Sequence, residues 1–215
     1  MKNNFLFALT FIVGISLTHA QAPQVIIPEF DDIYSNTVRD LEAGNTDINY
    51  FQFRYSFLES EQFIIADGMS GSLDSLEKEM YKQMKKMDYE KLVQITKEML
   101  SIDYTNMMAL KILRQTYAML DEHKLAAQYK AIQFGLLYSI LNNGDGETCE
   151  TAWPVIQISE EYFILKMIDA KIREQAVDRN GGLCDRMEVK EDGEKKTYYF
   201  EVSKVFEGYD NLMRE

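Results

Sequence analysis

Histidine is nearly missing from this 215-residue chain, with 2 copies beside 2 cysteines, 3 prolines and 1 tryptophan. So few prolines, with 11 glycines and 46% hydrophobic residues, exclude disordered and collagen-like classes, and two cysteines cannot make a disulfide scaffold. Positive charge is also scarce. The 23 Lys and Arg stand against 35 Asp and Glu, a net charge of −12 whose field repels nucleic acid and anionic lipid, so no nucleic-acid partner is expected. Beyond the first twenty residues the longest apolar runs, Phe134 to Leu141 and Tyr162 to Ile168, have fewer than ten residues. Crossing a bilayer takes roughly 20, so no transmembrane segment is expected there. The G-x-S-x-G, P-loop, G-x-G-x-x-G and H-E-x-x-H templates are all missing. No catalytic residue is assigned and no cofactor expected.

What is present begins with a targeting pattern. Lys2, the apolar run from Phe5 to Leu17 and the small residues up to Ala20 follow the plan of a secretory signal peptide, residues 1–20, with cleavage expected after Ala20. No cysteine follows the run to carry a lipid, so a secreted or periplasmic protein is expected. Losing those residues leaves His123 as the one histidine, which rules out a two-histidine zinc site. His123 lies in the segment Asp121-Glu122-His123-Lys124 and reads as a solvated turn residue.

Residues 21–28, with two prolines, read as a linker, and 29–215 as a single domain: a helical part, 29–141, then a β-rich part, 142–215. Apolar spacing predicts helices from Glu29 to the Gly44-Asn45 stop and from Asp47 to Glu59. In the second, Tyr50, Phe51, Phe53, Tyr55 and Phe57 fall on opposite sides, which favours packing over ligand stacking. Residues 66–72, rich in Gly and Ser, read as a loop. Leu73, Leu76, Met80, Met84 and Met87 then mark a helix. Three more run from Tyr89 to Ser101, Met107 to Leu120 and Lys124 to Leu141.

The segments starting at Asp88 and Glu122 stand 34 residues apart, the tetratricopeptide period. Ile102-Asp103 followed by Thr105-Asn106 resembles that family's inter-repeat turn, Leu113 and Tyr117 match its large apolar positions and Ala126 its small one. Tyr104 replaces a usual proline, and Arg114 and Gln133 replace small residues. Fewer than three repeats leave an apolar face open, so flanking chain must close it. Leu113 and Tyr117 mark where a partner groove would lie if it did not.

After Asn142-Asn143-Gly144-Asp145-Gly146 the pattern changes. Ala152 to Ile158 reads as a strand, with Pro154 at its start or at a sheet edge. Tyr162 to Ile168 reads as a second strand, with a helix from Glu160 as the competing assignment. Cys184–Glu191 and Lys196–Ser203 flank Asp192-Gly193-Glu194, a hairpin signal, and a short amphipathic segment, Lys204 to Leu212, follows. The expected class is α+β, tetratricopeptide-like antiparallel helices packed with a small, mainly antiparallel sheet.

Three strings, Gly144-Asp145-Gly146 with Thr148, Ala152-Trp153-Pro154-Val155-Ile156 running into Glu160-Glu161-Tyr162, and Tyr198-Tyr199-Phe200-Glu201-Val202, resemble the secreted bacterial family called domain of unknown function 4919. The resemblance implies a Gram-negative envelope setting and a helix-then-sheet layout. It implies no activity, substrate or catalytic residue.

Two constellations remain. Asp145, Glu147 and Glu150, with Glu160, Glu161 and Asp185 in reach, suit a hard cation or a pair of hydrolytic carboxylates, or are merely solvated acids after a helix. Their spacing fails the calcium helix-loop-helix pattern. Cys149 and Cys184 are a disulfide pair in an oxidising compartment, or else two buried thiols. The functional expectation is a non-enzymatic module that binds an envelope protein or peptide. The alternative is an acidic-site hydrolase or calcium-binding protein using the Asp145 loop.

Overall fold

The computed structural model describes residues 23–179 and 181–212, and the signal-peptide expectation lies outside them. Among the described residues seven helices come first. They are α1 (Ile33–Glu42), α2 (Tyr50–Leu58), α3 (Glu61–Gly68), α4 (Ser70–Lys86), α5 (Tyr89–Ile102), α6 (Met107–Met119) and α7 (His123–Leu141). Then follow β1 (Trp153–Pro154), α8 (Ile158–Met167), β2 (Lys171–Asp178), β3 (Cys184–Glu191), β4 (Glu194–Glu201) and α9 (Ser203–Leu212). The architecture is α+β: a stack of helices against a four-stranded sheet of order β1-β4-β3-β2, antiparallel except for the β1–β4 pair.

The helix starts follow side-chain capping. Asp32, Asn49, Asp88 and Asn106 each accept a hydrogen bond from the backbone N–H three residues on, satisfying a donor the helix itself leaves free. The 34-residue period appears as a repeated turn. Met87 and Asp121, 34 apart, both take a left-handed conformation (φ 57° and 60°). In each case the next N–H reaches back five residues, Asp88 to the Gln83 carbonyl (3.2 Å) and Glu122 to that of Tyr117 (2.9 Å). This is the Schellman closure of a helix end, and it reverses the chain at the same place in each unit.

The departures from the repeat pattern are also accounted for. Tyr104 is buried; its N–H donates to the Tyr34 hydroxyl (2.9 Å) and its own hydroxyl to Glu42 (2.5 Å), which also accepts from Tyr129 (2.8 Å). An aromatic hydroxyl at the usual proline position thereby ties the α5–α6 turn to α1. Arg114 and Gln133, both larger than the repeat normally holds, hydrogen-bond to each other across α6 and α7. Arg114 also lies over the Phe134 ring.

The open face of the repeat pair is closed from both sides of the sequence. Helix α2 packs on α7, where Gly135 admits the Tyr50 ring so closely that a Cβ there would fall 2.3 Å from it. Helix α8 packs on α6. One continuous core cluster joins Phe53, Leu110 and Ile132 of the helices to Met187, Val189 and Phe200 of the sheet. In residues 23–30, Val25 is buried, the Ile26 N–H donates to the Ser101 hydroxyl (2.8 Å) and Arg39 donates to the carbonyls of Pro28 and Phe30.

Three sequence expectations are corrected. Residues 66–72 are not a loop: the chain is helical on both sides of a break at Met69. Glycine and serine each weaken a helix by up to about 1 kcal/mol without forbidding it, and packing of Leu73, Leu76 and Met80 recruits the first turn of α4. The run Tyr162 to Ile168 is helical, the competing assignment. It is buried on several sides, so a short apolar stretch lost its period, while Glu160 and Glu161 sit in the first turn where the helix dipole favours acids. Strand β2 was missed because most of its side chains are exposed and it carries an irregularity at Ile172/Glu174, leaving little alternation to read. The hairpin stands: Asp192 and Gly193 both take positive φ (52° and 91°), as a two-residue turn between twisted strands requires.

Candidate functional site

The three strings that carry the family resemblance meet in space. Trp153 pairs with Phe200 in the β1–β4 ladder and stacks on Tyr198, its indole N–H donates to the Gly144 carbonyl (3.1 Å), and its ring covers Gly146 so tightly that a Cβ would approach it to 2.8 Å. The Tyr199 N–H donates to the Gly146 carbonyl (2.9 Å) and the Val155 N–H to that of Glu201 (3.1 Å). The glycine-rich turn thus seats the tryptophan against the sheet edge.

Within that turn Asp145 is occupied with its own loop. Its Oδ1 accepts from the Glu147 N–H (2.9 Å) and the Thr151 hydroxyl, bonds that hold its carboxyl below the usual range. Glu150 leans over Gly181 instead. Among the described residues no three His, Cys, Asp or Glu side chains are grouped to hold a metal ion. Asp145, Glu147 and Glu150 are therefore not brought together as ligands.

Cys149 and Cys184 are joined in a disulfide with Cα atoms 5.8 Å apart, fastening the loop after α7 to the start of β3. A bond across this separation stabilises by about 3 to 4 kcal/mol on the chain-entropy view. Titration of the denatured, unreduced protein should find no free thiol, and urea unfolding should shift to lower concentration under reductant. Leu113 is fully buried and Tyr117 nearly so, stacked on Tyr129 with ring centroids 5.8 Å apart, so their apolar surface is used inside the stack. His123 is exposed, with Asp121 Oδ1 4.0 Å from its Nε2.

Three ionisable groups are buried between α2 and α8: Glu160 and Glu161, which the sequence offers as candidate carboxylates, and Arg54, which it does not single out. Arg54 of α2 is 0% exposed and forms a two-pronged pair with Glu160 of α8, Nε to Oε1 at 2.8 Å and Nη2 to Oε2 at 2.6 Å. Nη2 also donates to the Pro154 carbonyl (3.0 Å), and the Ile156 N–H donates to Glu160 (2.8 Å). Every strong partner is therefore inside the protein, and the pair staples α2, β1 and α8 together. Beside it Glu161 is 0% exposed with neither carboxylate oxygen hydrogen-bonded. Burial first, then the charges of Asp185 and Glu160, pushes its pKa up to about 9, so it is protonated at neutral pH. Asp185 itself accepts from the Gln175 amide (2.6 Å).

Two adjoining concavities, the second lined in part by Glu160, draw their walls from distant segments, so no local pattern in the sequence marks them. A lobe of about 320 Å³ is walled by Phe63 of α3, Leu73 of α4, Ile156 and Val205, with Asp103, Asn106 and Gln157 among its polar lining. A second lobe of about 340 Å³ shares Glu77, Met99, Asn106 and Ser159 with the first and extends past Met108 to Tyr81 and Lys166. The polar side of the first lobe is built: Asp103 accepts from the Thr105 N–H (2.8 Å), the Thr105 hydroxyl (2.6 Å) and the Gln157 amide (3.2 Å). Apolar walls with a few fixed polar groups are the usual makeup of a binding cleft. Ile64, Ile65 and Met69, flanking its α3 rim in sequence, are exposed.

A family model described as domain of unknown function (DUF4919) matches residues 36–211. The chain belongs to this family. The match runs from α1 into α9, and so takes in the repeat pair, the Trp153 block and both lobes of the cleft. No curated protein and no solved structure matches the chain. No helix among the described residues is long and apolar enough to cross a membrane.

Proposed function

We propose that this family member is a non-enzymatic interaction module of the cell envelope, which receives a segment of a protein or peptide partner in the two-lobed cleft. The observation that carries this reading is the cleft itself, two adjoining concavities that share Glu77, Met99, Asn106 and Ser159 and combine apolar walls such as Phe63, Leu73, Phe163 and Ile156 with polar and acidic side chains. The envelope setting rests on the targeting pattern of residues 1–20 and agrees with the Cys149–Cys184 bond, since such bonds persist in oxidising compartments. The calcium or hydrolase alternative has no comparable support, because Asp145 spends its carboxylate on Thr151 and Glu147.

The test is site-specific crosslinking in the native host. A photoreactive residue at Ser70, which lines the first lobe, should yield a discrete adduct, and one at Lys195 in the exposed β3–β4 hairpin should not. Equal labelling at both positions, or none at Ser70, would overturn the cleft as the docking surface.

A further inference from the structure

Charge around the first lobe is one-sided. Asp67, Asp74 and Glu77 line it from α3 and α4 and Asp103 from the α5–α6 turn, and not one of its lining residues is Lys or Arg. Among the described residues Asp67, Asp74 and Glu77 make no salt bridge and no side-chain hydrogen bond, in contrast to Glu79 on the same helix, which is paired with Lys82. Asp103 is 3% exposed, and its burial raises its pKa against the pull of its hydrogen bonds from Thr105 and Gln157. The cation nearest in the cleft, Lys166 in the second lobe, is committed to Tyr81, donating to its hydroxyl (2.8 Å) and lying 4.8 Å from the ring centroid. Asp103 is satisfied by Thr105 and Gln157, which leaves three partnerless acids, Asp67, Asp74 and Glu77, beside the apolar wall of the lobe, with no Lys or Arg in its lining to balance them.

We propose that the first lobe accepts a lysine or arginine side chain of a partner peptide. The aliphatic stem lies against Phe63 and Leu73 and the cationic head among Asp67, Asp74 and Glu77. Lysine and arginine combine the two surfaces this lobe offers, a three- or four-carbon stem that covers apolar walls and a charged end that seeks carboxylates. A purely apolar guest would leave the acids facing one another across a drier gap, and an acidic guest would add to their repulsion. The inference rests on the cleft being a peptide-docking surface and specifies what that surface reads.

The test uses the folded protein against an array of ten-residue peptides, degenerate except for one position fixed as Lys, Arg, Glu or Leu. Wild-type protein should prefer the Lys and Arg sets, with binding that weakens as salt rises. The triple variant Asp67→Asn/Asp74→Asn/Glu77→Gln, whose changes are in exposed or half-buried side chains without partners, should keep its melting temperature and lose roughly tenfold in affinity for those sets. Peptide binding that is indifferent to the fixed residue, or unchanged in the triple variant, would overturn the cationic specificity and leave the docking surface standing. Absence of binding to every set would overturn both.

Discussion

Arg54→Met is expected to cost about 3 to 5 kcal/mol of folding stability, the range for removing one partner of a buried ion pair. The loss comes less from the attraction forfeited than from what is left behind. Glu160, 3% exposed, would keep only the Ile156 N–H as a hydrogen-bond donor among the described residues, and the Pro154 carbonyl and Ser139 hydroxyl would each lose a guanidinium contact. The double variant Arg54→Met/Glu160→Leu should recover a large part of the deficit, because a buried pair replaced by apolar residues of similar volume is often no less stable. Urea unfolding of both variants measures this. A double variant as unstable as the single one would show that the geometry of the pair, through Pro154 and Ile156, matters more than its charge balance.

Glu161→Gln should act in the opposite direction and should do so as a function of pH. The folded pKa of Glu161 stands near 9 against an ordinary value of 4.5, so between these values the folded protein holds a proton that the unfolded chain releases. Stability from this group is therefore complete below about pH 4.5, falls as pH rises, and levels off above about pH 9. The slope is at most about 1.4 kcal/mol per pH unit, or roughly 4 kcal/mol between pH 5 and 8. Glutamine has nearly the shape of the neutral acid, cannot ionise, and brings an amide that can donate toward Asp185. The stability advantage of Glu161→Gln should accordingly widen from pH 5 to pH 8 in urea titrations. An advantage that stays constant across that interval would mean Glu161 does not carry the proton.

How much of this was legible in the sequence differs from element to element for physical reasons. The long helices could be read because their cores repeat at helical spacing, and the unit boundary because the segments at Asp88 and Glu122 recur 34 residues apart, although Met87, which the spacing puts on the helix's apolar stripe, is exposed and closes that helix instead. The β3–β4 hairpin was legible from Asp192-Gly193, where the backbone itself demands those residues. Helix α8 was hidden by burial on several sides, and β2 by exposure, two opposite ways of erasing a period. The cleft was illegible for another reason: Phe63, Leu73, Asp103, Ile156 and Val205 become neighbours only after the chain has folded. Arg54 gives no local sign that it will be buried, because its partner lies 106 residues away.

The Cys149–Cys184 bond has a further consequence, since the chain between the two sulfurs contains β1, α8 and β2. These elements form a covalent ring, and the ring carries Glu160 and Glu161 as well as Ile156, Gln157 and Ser159 of the cleft wall. One side of the cleft is therefore leashed at both ends to the rest of the molecule. The excursion of that wall is bounded by the length of a closed loop rather than by the strength of any contact inside it.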